Sequence, residues 1–240
     1  MENEARRKLE QEVADFYEAQ GKNFSQTRQA NWPIFKLLER ELKPGSTVVD
    51  VGCGNGRLLN VLSPGINYIG LEPSSSLLAE ARKRFSNRPG VVFKPGSLPK
   101  LDLPNESADA VVCIAVMHHI PSLEQRAVAL AEILRILKPG GIFICSVWNL
   151  RASRFFNFNT FLHAWLRDAG VPRGERGDMY MPWKMEGADA KRYVHAFTSK
   201  EWKELFDLKR WNIQEIGPYD NLGWCRLSSG RNLVAICKKK

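Results

Sequence analysis

Short continuous apolar runs, rather than alternating ones, set the rhythm of this chain. Thr47 to Val51 is the first, and its lack of polar alternation predicts a strand buried on both faces of a parallel sheet. Asn67 to Glu72, Val91 to Lys94, Asp109 to Ile114 and Ile142 to Trp148 repeat the pattern. Between them the period lengthens to that of a helix. It does so over about Arg57 to Leu62, over Ser74 to Phe85 behind Pro73, and after Ser122-Leu123-Glu124-Gln125, which has the spacing of a capping box. Leu123, Ala127, Leu130, Ile133, Leu134 and Leu137 then make one apolar face, and Lys138-Pro139-Gly140-Gly141 ends that helix. Strands alternating with helices predict an α/β domain with a mostly parallel sheet and helices on both faces.

The flanks are less regular. Leu9, Val13, Phe16 and Tyr17 predict a helix from about Asn3 to Gln20 that stops before Gly21, followed by a polar loop and a second helix near Pro33 to Leu42. From Asn149 to Phe197 the alternation lapses. Thr198-Ser199-Lys200-Glu201 then caps a helix to about Leu208, and the runs Trp211 to Ile216 and Arg231 to Cys237 predict a closing antiparallel pair. Lys238-Lys239-Lys240 reads as a frayed basic tail. At 240 residues the chain fits one domain over 1–240, with 1–46 as helices over the site and 149–197 as an insertion that meets the substrate.

Composition narrows the class. A hydrophobic fraction of 44% and a charged fraction of 25% are those of a globular protein. No window approaches ~18 uninterrupted apolar residues, and Met1 to Glu12 lacks the apolar core of a secretion signal, so a cytoplasmic location without membrane contact is expected. Cys53, Cys113, Cys145, Cys225 and Cys237 form no C-x-x-C pair, which points to reduced thiols and no metal site. The net charge of +9 suits a polyanionic partner, but a solvated basic surface has the same charge.

The chemistry gathers after the first strand. Asp50 precedes Gly52-Cys53-Gly54-Asn55-Gly56, where missing side chains let backbone approach a ligand. Glu72, followed by Pro73, ends the second strand where a carboxylate accepts hydrogen bonds from ribose hydroxyls. A dinucleotide loop has the spacing G-x-G-x-x-G, but its last glycine position is Arg57 here, and Asp50 would repel a pyrophosphate. S-adenosylmethionine, which has no phosphate and carries an ammonium and a sulfonium, fits instead. The string Val49 to Gly56 with Glu72 at its distance resembles the nucleotide loop of class I methyltransferases, many of which present an Asp to the adenine amine where Ser97 stands, so Leu98 and backbone amides are expected to hold that ring. Ala115, Val116, His118 and His119 follow the fourth strand and belong near the transferred methyl group. The His pair either orients a substrate carboxylate or braces a turn. Trp32 is either a substrate residue or core. Arg28 is either a substrate residue or half of a surface ion pair. The insertion interleaves Arg151, Arg154, Arg167, Arg173, Arg176 and Lys184 with aromatics from Phe155 to Trp183, a composition suited to stacking unpaired RNA bases or to a local mini-core.

Several segments together resemble a narrower family. Phe24-Ser25-Gln26-Thr27-Arg28 with Trp32-Pro33, Asp50 to Gly56, Ile114 to His119, Met181-Pro182-Trp183 and Arg192-Tyr193-Val194-His195-Ala196-Phe197 resemble the tRNA wobble-uridine methyltransferases that esterify 5-carboxymethyluridine, including the methyltransferase domain of the animal AlkB-type fusion enzyme. Gln29 and Val194 depart from the family, where aromatic residues stand. The resemblance implies the class I methyltransferase, Rossmann-like fold, with a seven-stranded mostly parallel sheet and an antiparallel last strand. It also implies methyl transfer to a carboxylate in a tRNA anticodon loop. Arg28 and His118 take the catalytic places, and Arg28, Trp32, His118, His119, Trp183, Arg192 and His195 meet substrate. Joining a carboxylate to a sulfonium removes two charges, so an Arg on the carboxylate acts in binding and alignment rather than on the chemical step. A small zinc-binding activator subunit is an implied partner. Two other readings stay open: a methyltransferase for a small carboxylate, quinone or hydroxyl compound, and a non-catalytic RNA-binding or scaffolding subunit with the same fold.

Overall fold

The computed structural model describes residues 3–27, 32–39, 41–151, 175–185 and 188–240. Five parallel strands form its frame: β1 (Thr47–Val51), β2 (Asn67–Leu71), β3 (Val91–Lys94), β4 (Ala108–Ile114) and β5 (Leu137–Trp148). Apart from them, β6 (Asp178–Met185) and β7 (Ala188–His195) make a two-stranded sheet. The chain then returns as β8 (Trp211–Asp220), the two-residue β9 (Gly223–Trp224) and β10 (Asn232–Lys239). The main sheet runs β3-β2-β1-β4-β5-β10-β8-β9, with β10 antiparallel to both β5 and β8. The seven long strands are those expected, and β9 is an edge piece that no sequence pattern announces.

Both sheet faces are covered, as continuous apolar strands require. Val49, Val51, Val111 and Phe143 pack with α4 (Leu123–Ile136) and with Trp202 of α5 (Ser199–Glu204). Val48, Tyr68, Val112 and Ile144 pack with Phe35, with Leu38 of α2 (Lys36–Glu39), and with Leu78 of α3 (Ser75–Phe85). Each fully buried aliphatic is worth roughly 1.5–3 kcal/mol, so these two faces, rather than helix propensity, hold the frame. Among the described residues no helix is long and apolar enough to cross a membrane.

Local expectations fail where distant contacts intervene. Helix α1 (Asn3–Thr27) does not stop at Gly21. The start of α3 lies against that glycine, where a Cβ would meet Ser76 Oγ at 2.1 Å, so Gly21 serves close approach rather than termination. The Glu18 carboxylate accepts from the hydroxyls of Ser75 at 2.6 Å and Ser74 at 2.9 Å, fastening α1 over the N-terminus of α3. The helix expected from Pro33 to Leu42 is a 3-10 turn followed by the short α2, and that after the glycine loop is a 3-10 turn, Arg57–Asn60. Lys138 to Gly141 loops out within β5, between the pairs Ala108–Leu137 and Ala110–Ile142. At Ser122 the hydroxyl accepts from the Gln125 amide, but the reciprocal capping box forms at Thr198 and Glu201. The basic tail is not frayed. Lys238 and Lys239 belong to β10, and the Lys239 and Lys240 ammonium groups donate to the carbonyls of Leu137 and Leu208. Arg28 and residues 152–174 of the insertion lie outside the described residues; the last part of the insertion forms the β6–β7 hairpin.

Candidate active site

The glycine loop joins β1 to its 3-10 turn and lies under α1. Gly52 adopts φ +72, and a Cβ there would stand 2.3 Å from Val116 Cγ2, so the turn after β1 and the one after β4 interlock. Gly56 serves packing rather than a ligand, because Phe85 and Phe93 fill the space beside it. Gly54 is the loop position next to Glu72: its N–H donates to Glu72 Oε2 at 3.0 Å, and Ser74 N–H donates to Oε1 at 3.0 Å. Burial pushes the Glu72 carboxyl up to about 7 against the pull of those two amides. Asp50 is also buried and raised, to about 6, chiefly by burial, while the Tyr68 hydroxyl donates to it at 2.7 Å. Two buried carboxylates under one loop oppose a pyrophosphate. Each Glu72 oxygen keeps a further lone pair for a hydroxyl, so the donor set fits a nucleoside with a free ribose and no phosphate.

α1 closes the loop from above. Asn55 Nδ2 donates to the Ser25 carbonyl at 3.3 Å, and Phe24 packs over Gly54. Pro73 is exposed beside Glu72; Ser97 is also exposed, and Leu98 packs partly against the core beyond β3. Ala115, in the left-handed region at φ +59, donates its N–H to the Ser146 carbonyl at 3.0 Å and turns the chain sharply out of β4.

At the carboxyl ends of β4 and β5 lies an aromatic chamber. The Arg192 guanidinium, 4% exposed, sits 4.6 Å from the Trp148 ring, 4.7 Å from Trp183, 5.0 Å from Phe16 and 5.7 Å from Tyr17. His118 stacks 4.3 Å from Trp148, and neither of its ring nitrogens has a hydrogen-bond partner among the described residues. Burial, reinforced by His119 and Arg192, lowers its pKa well below the usual range and keeps it neutral. A fully buried imidazole with two unanswered nitrogens is a place where a ligand completes the hydrogen bonding.

His119 is already committed. Its Nδ1 donates to the Tyr193 carbonyl at 2.9 Å, so its Nε2 accepts from the Tyr17 hydroxyl at 2.9 Å. It braces the turn against α1 and β7. His195 is likewise committed: its Nδ1 donates to Asp178 at 2.8 Å, and Tyr193 donates to the same carboxylate at 2.7 Å. Glu175, Asp178 and His195 lie close enough to share a cation, but Asp178 accepts these two bonds and Glu175 pairs with Arg126. The contacts of Trp32 are with Phe35 and Arg57, at the edge of the core. Sequence reasoning missed Trp148, whose place at the end of a buried strand was its signal. It also missed the role of Phe16 and Tyr17, because their spacing marks only the apolar face of a helix.

Comparison with known proteins agrees with this geometry. Residues 49–145 match the family described as "Methyltransferase domain". The chain is 28% identical over 232 residues to the tRNA (carboxymethyluridine(34)-5-O)-methyltransferase of Schizosaccharomyces pombe, covering 88% of this chain and 93% of that one. It is 33% identical to the human "Probable tRNA methyltransferase 9B", over 70% of this chain, but spans only 36% of that protein's length. A solved Haloferax volcanii complex of the Trm112 methyltransferase activator with a methyltransferase has the same fold, at a TM-score of 0.66 and 21% identity over 94% of this chain and 96% of that one.

Proposed function

Residues 49–145 match a methyltransferase domain and the chain resembles the tRNA (carboxymethyluridine(34)-5-O)-methyltransferases, and from that premise we propose that it methylates the carboxylate of 5-carboxymethyluridine at the tRNA wobble position, forming 5-methoxycarbonylmethyluridine. S-adenosylmethionine supplies an activated methyl group on a sulfonium when bound. The observation that carries this reading is the buried Arg192 guanidinium, walled by aromatic rings at the sheet's carboxyl rim.

Glu72 holds the ribose hydroxyls, Asp50 and the backbone of Gly52 and Gly54 receive the amino-acid end, and Leu98 packs the adenine. Arg192 binds the substrate carboxylate and turns one oxygen toward the methyl group, with His118 bonding to the uridine. Phe16, Trp148 and Trp183 exclude water. Because the carboxylate loses its charge as the ester forms, a dry chamber favours the transition state over the ion pair, and no general base is needed. By the family resemblance Arg28, which lies outside the described residues, serves substrate binding and alignment. We place the enzyme in the cytoplasm as one domain over 1–240, with 149–197 contacting the anticodon loop.

The Haloferax volcanii complex with the Trm112 methyltransferase activator supports an activator subunit as partner, a small zinc-binding one by the family resemblance, and the edge strand β3, with Val92 exposed, pairs with no strand on its outer side among the described residues. Rescue of solubility and activity on co-expression with such a subunit supports it. The central test is to incubate the protein with methyl-labelled S-adenosylmethionine and bulk tRNA, with and without prior mild alkaline saponification. Label in an alkali-labile ester on a wobble uridine, only after saponification, supports the reading. Label on no tRNA nucleoside, with the activator present and cofactor bound, overturns it.

A further inference from the structure

Four residues stand opposite one another across the carboxyl rim of the sheet: Trp148 of β5 faces Asn232 of β10, Asn232 faces Tyr219 of β8, and Tyr219 faces Trp224 of β9. Residues opposed in this way share a face. Trp148, the wall of the Arg192 chamber, is therefore joined to Trp224 by a row three strand spacings long, roughly 14 Å. Trp224 packs edge-on against Tyr219 at 5.3 Å and is nonetheless 38% exposed, and Leu222 beside it is 98% exposed. Together they leave an open apolar spot at the rim.

The loop that carries the pair is held firmly. Asn149, the residue after β5, donates through Nδ2 to the carbonyls of Leu227 and Gly230, both at 2.8 Å. Asp220 accepts from the Leu222 amide at 2.7 Å, which fixes the turn. Arg226 is exposed and pairs with no carboxylate among the described residues. An open aromatic ring with an exposed arginine two positions further along the same loop matches an unstacked base and its phosphate, and the row from Trp148 puts that ring on the rim of the site.

We propose that this loop is an RNA-docking surface, on which a nucleotide neighbouring the target uridine stacks on Trp224 while Arg226 faces its phosphate. It rests on the reading of the substrate as a tRNA anticodon loop. The row then measures the distance between the methylated base, at Trp148, and a second base held outside the chamber. A protein partner is the rival occupant of the β9 edge, but an exposed arginine on the same loop and a net charge of +9 favour a polyanion there.

The test uses the full chain, with its activator if one is required, and an anticodon stem-loop carrying 5-carboxymethyluridine. Trp224→Ala should weaken stem-loop affinity about tenfold, Trp224→Phe should restore most of it, and S-adenosylmethionine affinity should stay at the parent value in both. Arg226→Ala should reduce the slope of log affinity against log salt by about one. If the parent binds the stem-loop and Trp224→Ala binds it equally well, the docking surface is overturned while the substrate reading stands. If Trp224→Ala abolishes self-association in sedimentation without changing RNA affinity, the surface is a protein interface and the proposal falls. If the parent binds no RNA, the substrate reading fails first and this proposal with it.

Discussion

Tyr17 and His119 meet across 102 positions of sequence, the tyrosine hydroxyl donating to Nε2 at 2.9 Å while Nδ1 holds the Tyr193 carbonyl. The bond fixes one tautomer and joins α1, the turn after β4 and β7 at a single ring. Tyr17→Phe removes the donor and leaves a buried acceptor unanswered, which costs about 1–3 kcal/mol. Chemical denaturation should show that loss with an unchanged slope in denaturant.

Arg192 should be needed for substrate and not for cofactor. Arg192→Met keeps the bulk and loses the charge, so kcat/KM for tRNA should fall at least 30-fold, corresponding to ~2 kcal/mol or more, with most of the change in KM. Arg192→Lys should fare little better, because a compact ammonium cannot present a planar fork between the rings. Isothermal titration with S-adenosylmethionine should stay within about twofold of the parent. An equal loss in that titration would remove Arg192 from the substrate side.

Glu72 makes a pH prediction whose sign can be worked out. Its folded pKa, about 7, lies above its ordinary 4.5, so the folded state holds the proton more tightly and stability falls as pH rises through that window. Asp50 contributes in the same direction between 3.8 and about 6. His119, lowered to about 3 chiefly by burial, works oppositely and adds stability as pH rises toward 6.5. Glu72→Gln therefore should melt higher than the parent at pH 7.5 and about equally at pH 4.5. Ribose hydroxyls favour the ionised carboxylate, so cofactor affinity of the parent should rise between pH 6 and 8, and that of Glu72→Gln should be flat.

Gly52→Ala should be severe and partly reversible. The new Cβ would press on Val116 Cγ2 from a backbone already at φ +72, so both strain and overlap oppose it. Removing the obstructing methyls with Val116→Ala in the same chain should recover part of the lost melting temperature. Additive losses in the double variant would refute the interlock.

What was legible in advance was whatever depends on near neighbours. Thr47 to Val51 could be read as a buried parallel strand because both of its faces are apolar, and Thr198 as a cap because its partner is Glu201. Gly21 could not be read, since the reason for it is Ser76 on another helix. The C-terminal lysines looked like a tail because their acceptors, Leu137 and Leu208, lie far off in sequence. The β6–β7 hairpin hid for a different reason: Met179, Tyr180 and Met181 are all buried, so no alternation marks the strand. In the site, Asp50, Glu72 and the glycines were visible as a spacing, whereas the chamber wall depends on α1 and Trp148 converging on Arg192, which no local pattern encodes.

β10 occupies the middle of the main sheet although it is the last strand in chain order. During synthesis β1 to β5 can therefore assemble early, but their edge at β5 and the waiting β8 stay bare until residue 232 and beyond leave the ribosome. The rim row from Trp148 to Trp224 closes only at that step, so a ribosome that stalls shortly before it leaves a cofactor half without its far rim and with an open edge exposed to aggregation.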